Sequence, residues 1–270
     1  MSEFKAPNTD AEFEQNFAQI KPLMTDNQAY FESSRCLFCY DAPCVNACPT
    51  GIDIPLFIKQ IHSKNTLGAA QTIYNSNVFG YACGKVCPTE VLCEGACVYN
   101  HQDVPAIEIG RLQTFATDKA IRSNKTLFQR APSNGRKAAV IGAGPAGIAF
   151  ACEMRIAGFE VEIFEAKEKP SGLTVYGVAP YKITNEEALD EMDYLQKQFG
   201  FTVHYSHPVT TERDIHYLES EFEVIFLGIG LGRTSELGIP GEDKDGVQGA
   251  VEFVETLRMG HHQISVPKKV

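Results

Sequence analysis

The sequence predicts an α-helical, ferredoxin-like domain tied together by cysteine loops, followed by an α/β Rossmann-like fold. Three observations carry that expectation. Eight of the nine cysteines fall in the 62 residues from Cys36 to Cys97. Strand-like alternation is missing up to residue 124, whereas apolar runs of strand length alternate with helical stretches after residue 136. A glycine-rich run, VIGAGPAG over Val140 to Gly147, stands where the first such strand gives way to a helix.

A chain of 270 residues with 44% hydrophobic content has room for two ordinary domains. We divide it into a helical domain with an N-terminal arm over 1–124, a linker over 125–136 (KTLFQRAPSNGR) and a dinucleotide fold over 137–270. The formal charge of -10 repels phosphate backbones and anionic lipid, so neither nucleic acid nor a membrane surface is an expected partner. The start, MSEFKAPNTDAEFEQ, lacks the basic and apolar segments of a secretory signal, which points to the cytoplasm. The most apolar stretch, Ala138 to Met154, is interrupted by Gly142, Gly144, Pro145 and Gly147 and falls short of the roughly 20 residues a membrane span needs.

Phe13, Phe17 and Ile20 recur at helical spacing and predict a short amphipathic docking helix. Helices are expected into Arg35, over Pro55 to His62, Leu67 to Asn75 and Pro105 to Ile121. The second half predicts strands at Ala138 to Ile141, Glu160 to Glu165 and Phe222 to Gly228, with helices at Pro145 to Ala157 and Glu186 to Phe199. The closing SVPKKV is similar to the GRKAAVIG lead into the first strand, so the chain is expected to be truncated as another strand begins.

Cys36, Cys39, Cys44 and Cys48, the last followed by Pro49, are spaced nearly as the C-x2-C-x2-C-x3-C-P run that binds cubane clusters, whose fourth cysteine serves the other cluster. Cys83, Cys87 (followed by Pro88), Cys93 and Cys97 form a second group, and two groups imply two [4Fe-4S] clusters. Counting cysteines alone makes Cys83 the eighth ligand. Disulfides fit a reducing compartment poorly, and zinc favours paired CxxC knuckles. Cys152 stands apart and reads as a small buried hydrophobe.

In the glycine run, Gly142 allows a tight turn, Gly144 lets the backbone approach a pyrophosphate, and Gly147 permits close helix–strand packing. Ala143, Pro145 and Ala146 complete the loop, which opens a helix whose N-terminus favours phosphate. Glu165 closes the second strand, where an acid accepts from ribose hydroxyls and disfavours the 2'-phosphate of NADP.

The runs SRCLFCYDAPCVNACPTGIDIPLFI, YACGKVCPTEVLCEGAC and IEIGRLQTFATDKA resemble the N-terminal part of the dihydropyrimidine dehydrogenase family, from about Ser34 to the C-terminal end. Glutamate synthase small subunits share the architecture but fit the cysteine loops less well. The resemblance implies one cluster on Cys36, Cys39, Cys44 and Cys97, and another on Cys48, Cys87 and Cys93 with Gln113 as fourth ligand. That last assignment conflicts with cysteine counting. We follow the block match GRLQTFAT and read Cys83 as a small residue in a turn, although Gln113 taken alone reads as an exposed helix residue.

GAGPAG followed by FEAKEKPSGL looks like the flavoprotein version of the fold, implying FAD in contact with Lys167, Gly172, Leu173, Lys182 and the backbone of Val209. The family usually has glycine where this chain has Ser171, and an arginine matches Lys182. The resemblance further implies an electron-input subunit whose full-length form binds NAD(P)H. Its partner would be an FMN and iron–sulfur barrel subunit that interconverts uracil or thymine and the dihydropyrimidine, and the two would form an oligomer. The fragment itself is expected to turn over NADH poorly. Alternatives are a glutamate-synthase-like reductase subunit and a non-enzymatic redox sensor.

No Ser–His–Asp set or catalytic metal triad is visible, and no catalytic side chain is assigned. His204, His207, His261 and His262 read as surface or core residues. Gly228 to Gly232 (GIGLG) reads as a loop ending a strand rather than a second nucleotide site, since no helix follows it.

Overall fold

The computed structural model describes residues 9, 11, 12, 15, 18–232 and 234–260. The first half is helical. Helix α1 (Asp26–Ser34) opens with a reciprocal capping box between Thr25 and Gln28. A short α2 (Pro43–Asn46) follows. Helix α3 (Ile54–His62) starts where Asp53 accepts the Leu56 N–H at 3.1 Å, and buries Ile54, Phe57, Ile58 and Ile61 as one stripe. Then come α4 (Thr66–Tyr74), α5 (Gly80–Val86) and the long α6 (Ile109–Ser123), which Asn124 ends in the left-handed conformation.

Residues 124–136 carry neither helix nor strand. Beyond them run β1 (Lys137–Ile141), α7 (Pro145–Ile156), β2 (Glu160–Phe164), α8 (Leu173–Tyr176), α9 (Asn185–Phe199), β3 (Thr202–His204), α10 (Glu212–Glu221), β4 (Val224–Leu227) and α11 (Ala250–Met259). The four strands are parallel in the order β3-β2-β1-β4. That order is the one in which a dinucleotide fold places its crevice at the carboxyl end of the first strand.

Ala138, Ala139 and Val140 of the central strand are fully buried, as a parallel strand covered on both faces requires. One face packs on Ile148, Ala151, Cys152, Leu195 and Phe199. The other meets Leu218 and Phe222 around α10. The first apolar cluster does not stop at the sheet. It runs through Phe128, whose ring lies 4.5 Å from Phe199 and 5.2 Å from Tyr74, and on to Phe79 and Tyr81 in the helical half. A second core, around Phe57, Ile58, Leu112 and Phe115, sits inside the cysteine-bearing half.

Apart from the docking helix, whose described member Ile20 lies in a bend and is 61% exposed, the expected helices and strands are present with ends shifted by a few residues; the largest shift starts α6 at Ile109 in place of Pro105. Helices α2, α5, α8, α10 and α11 and strand β3 are additions to the elements that the sequence predicts. Cys83 lies inside α5 rather than in a turn, and Gln113 is buried rather than exposed. Phe13, Phe17, His261, His262 and the SVPKKV end lie outside the described residues.

Candidate cluster and dinucleotide sites

The loop after α1 takes two residues through unusual backbone, Phe38 at φ 50° and Ala42 at φ 24°. This tight path brings Cys36, Cys39 and Cys44 around one pocket, whose remaining wall is formed by Cys97 and by Ile54, Ile58, Ile107 and Ile109. These are the four cysteines that the resemblance groups together. All nine cysteines are free thiols. Among the described residues no three His, Cys, Asp or Glu side chains converge tightly enough for a single metal ion. One zinc would need its thiolates about 2.3 Å from a common centre. The pocket brings four cysteines together within an otherwise largely apolar wall.

The thiols are costly to ionise where they stand. Burial pushes the Cys36 thiol up, with the charges of Cys39 and Cys97 adding to it against the Phe38 N–H. Burial, then the charge of Cys36, pushes Cys44 up to about 11. A cluster core supplies the positive charge that several buried thiolates need.

Cys48, Cys87 and Cys93 form a second group. Burial and the neighbouring Glu94 charge, with lesser contributions from Cys48 and Cys87, push Cys93 up to about 12. Burial also raises Cys87, opposed by the ammonium of Lys21, which donates to the Cys87 carbonyl at 3.1 Å and to Thr89 Oγ1 at 2.8 Å. Cys48 differs. Burial raises it, but the Thr50 hydroxyl and the N–H groups of Ile52, Thr50 and Gly51 outweigh burial and hold the thiol below its ordinary value.

Both claimants for the eighth position lie on the paired helices α5 and α6. Burial pushes Cys83 up to about 11, the charges of Glu191, Cys87 and Cys48 adding to it, while its sulfur accepts the Asn77 amide at 3.0 Å. Gln113 donates through Nε2 to the Gly80 carbonyl at 2.7 Å. That bond fixes the amide's orientation, so its oxygen is the end left for a ligand.

The glycine loop is sterically constrained at two of its three glycines and open at the third. A Cβ on Gly142, at φ 99°, would sit 2.5 Å from the Gly228 carbonyl oxygen, and one on Gly147 would sit 2.0 Å from the Gly142 oxygen. On Gly144 the nearest atom would be 3.9 Å away, which leaves that backbone open to approach. Helix α7 begins at Gly144 and Pro145 with no side chain capping it, so its first-turn amides, beginning at Ala146, are available to an anion. Glu165 accepts the Ala143 N–H at 2.6 Å and the Lys167 N–H at 2.8 Å, one on each oxygen, and each oxygen keeps a further lone pair.

Two other expected residues, Gly172 and Leu173, lie beside this loop. The Ser171 N–H donates to the Ala143 carbonyl at 2.7 Å, and a Cβ on Gly172 would lie 3.0 Å from Gly144 Cα, so Gly172 and the exposed Leu173 flank the loop. Val209 follows His207, whose N–H donates to the Glu165 carbonyl at 2.8 Å. The exposed Lys182 is held to the same segment by its backbone bond to Ala179 at 2.9 Å. Gly228 packs against Gly142 and Gly147, so the second glycine cluster begins beside the phosphate loop.

Comparison with known proteins agrees with this arrangement. Residues 13–125 match the family described as dihydropyrimidine dehydrogenase domain II, 4Fe-4S cluster, and residues 140–185 match an NAD(P)-binding Rossmann-like domain. The NAD-dependent dihydropyrimidine dehydrogenase subunit PreT of Escherichia coli K12 is 34% identical over 94% of this chain and 61% of its own length. The chain is a homologue of the PreT subunits. The glutamate synthase [NADPH] small chain of the same organism is 29% identical over 88% of this chain and 50% of its own. A putative oxidoreductase, UacF, again from Escherichia coli K12, is 30% identical over 88% of this chain and 37% of its own. The chain joins a 4Fe-4S domain to a Rossmann-like domain, and spans 61% of the length of the PreT relatives and less of the other two. No described helix is long and apolar enough to cross a membrane.

The sequence reading missed Glu191, Lys21 and Asn77. Glu191, on α9, is buried and accepts the N–H groups of Tyr81 and Ala82 at the start of α5. Local sequence carries no signal for the contacts of Glu191 and Lys21, whose partners are distant in the chain, whereas Asn77 reaches Cys83 only six residues on.

Proposed function

We propose that this chain is the electron-input part of an NAD(P)H-dependent iron–sulfur flavoprotein oxidoreductase, with FAD on the glycine loop and two [4Fe-4S] clusters in the helical half. The observation that carries the reading is the pocket walled by Cys36, Cys39, Cys44 and Cys97. Cys48, Cys87 and Cys93 with Gln113 would hold the other cluster. FAD accepts the two electrons of a hydride, and a cubane carries one at a time, so the pair converts between two-electron and one-electron chemistry.

The chain's own residues account for the rest. Gly144 and the start of α7 would bind the pyrophosphate, and Glu165 the ribose hydroxyls while it braces the loop through Ala143. Lys21 and the amides around Cys48 favour thiolate in the second group. Helix α5, which leads into Cys87, is gripped by α9 of the sheet half. The apolar wall of the first pocket would exclude water from the cluster held there.

The acceptor we favour is an FMN and iron–sulfur barrel subunit acting on uracil, thymine or their dihydro forms, on the strength of the name the PreT relatives carry. The similarity to glutamate synthase small chains supports a second reading, the same input with another partner. Co-purification with a pyrimidine-reducing subunit or with an amidotransferase separates the two. The test of the cofactor reading is an anaerobic visible spectrum with iron, sulfide and flavin quantified on one sample. About eight irons and one FAD per chain support it; zinc without flavin overturns it.

A further inference from the structure

Arg258, on α11, is 2% exposed, yet no carboxylate is among its hydrogen-bond partners. A guanidinium has five N–H donors, and here every one is used. Nε donates to the Val175 carbonyl at 2.7 Å. Nη1 donates to the carbonyls of Val178 at 2.7 Å and Ile183 at 2.6 Å. Nη2 donates to the Thr174 carbonyl at 3.0 Å and to Asn185 Oδ1. A buried cation is ordinarily neutralised by an acid. Burial lowers the pKa of Arg258, and the charge of Glu187 on α9 opposes that only in part.

The carbonyls it gathers belong to one stretch, residues 174–183, which begins two residues after Gly172. On its other side that stretch adjoins the phosphate loop, through Ser171 to Ala143 and Gly172 against Gly144. Helix α8 has only four residues and leaves its last carbonyls without helical partners, so a cation at its C-terminal end completes them. The same helix α11 reaches the far side of the crevice, where Glu255 pairs with Lys167 at 2.6 Å, two residues beyond Glu165. Asn185 also returns a bond to the Arg258 carbonyl at 3.2 Å.

We propose that Arg258 is a positioning residue for the dinucleotide site, clamping the backbone of residues 174–183 from behind so that Gly172, Leu173 and Lys182 stand ready for FAD. The inference rests on the flavin reading of that site. It explains why an arginine is used, since a lysine has three donors and no planar fork to span separate carbonyls.

The test is titration of the cluster-loaded, flavin-stripped protein with FAD, followed by flavin fluorescence and visible absorption, with iron quantified in each variant. Arg258→Met should weaken FAD binding by about tenfold or more with iron content unchanged, and Arg258→Lys should recover part of the loss. Asn185→Ala, which removes a single acceptor, should weaken it by a few-fold and decides the matter if Arg258→Met does not fold. FAD affinity within about twofold of wild type in Arg258→Met, or in both milder variants, overturns the clamp while leaving the flavin reading intact. Wild-type protein that takes up no FAD overturns the flavin reading and the clamp with it.

Discussion

Glu191 on α9 accepts the backbone N–H of Tyr81 on α5 at 2.7 Å, across 110 residues of chain. With the Ala82 N–H at 3.0 Å it occupies the positive end of a helix that leads directly into Cys87. A network continues on the same side, where the fully buried Lys85 amine meets Glu187 at 3.0 Å and Gln19 at 2.6 Å. Acidic side chains of one half thus fix a helix of the other that leads into Cys87.

Burial pushes Glu191 up to about 8 from an ordinary 4.5, against the two backbone bonds that favour its charge. An acid whose folded value is raised holds a proton that the unfolded chain has already lost. Stability is therefore fullest below about 4.5 and declines as pH rises toward about 8. Denaturation midpoints measured from pH 6 to 9 should fall for the wild type, and Glu191→Gln should flatten the profile. Parallel profiles for the two proteins would remove Glu191 as the source.

The eighth cluster ligand can be settled by iron counts. We expect Gln113→Leu to lose one cluster, from about eight irons to about four, and Cys83→Ala to keep about eight. Gln113 has one end tied to Gly80 and an oxygen to spare, whereas the Cys83 sulfur already takes the Asn77 amide. The reverse pattern would assign the position to Cys83.

Gly147→Ala should abolish dinucleotide binding and cost about 1–3 kcal/mol of stability or more, because the new methyl would meet the Gly142 carbonyl oxygen at 2.0 Å and Val140 Cγ1 at 3.0 Å. The first of these is backbone in the turn that defines the site. Urea denaturation and FAD titration on one preparation check both parts.

Glu165→Gln should weaken FAD binding by roughly tenfold to a hundredfold, because charge-assisted bonds to the loop and to the ribose are both lost. Calorimetric titration measures the change. An affinity equal to wild type would show that Glu165 serves the protein's own backbone alone.

The sequence was most legible where chemistry demands particular residues at short range. VIGAGPAG marks β1, the turn after it and the start of α7, because Gly142 and Gly147 answer local steric needs that the Cβ distances bear out. The cysteine spacings located the cluster loops for the same reason. Helix α5 escaped notice, since GYACGKV begins with glycine and has no helical apolar stripe, and it is held by α6 and by Glu191. Strand β3 is three residues long and takes its place only by pairing with β2. Glu191 sits in a run, DEMDYLQKQF, that reads as a solvated helix face, and only the packed α5 reveals it as interior.

The stretch from 124 to 136 looks like a hinge in sequence, yet Phe128 is buried among Tyr74, Tyr194 and Phe199, and Arg130 donates to the Phe199 carbonyl at 2.7 Å. Swinging one half against the other would tear open a continuous apolar seam. The spacing between the cysteine loops and the glycine loop is thereby frozen. Electron hopping between them would run at a tempo set by fixed separation rather than by the opening and closing of a joint.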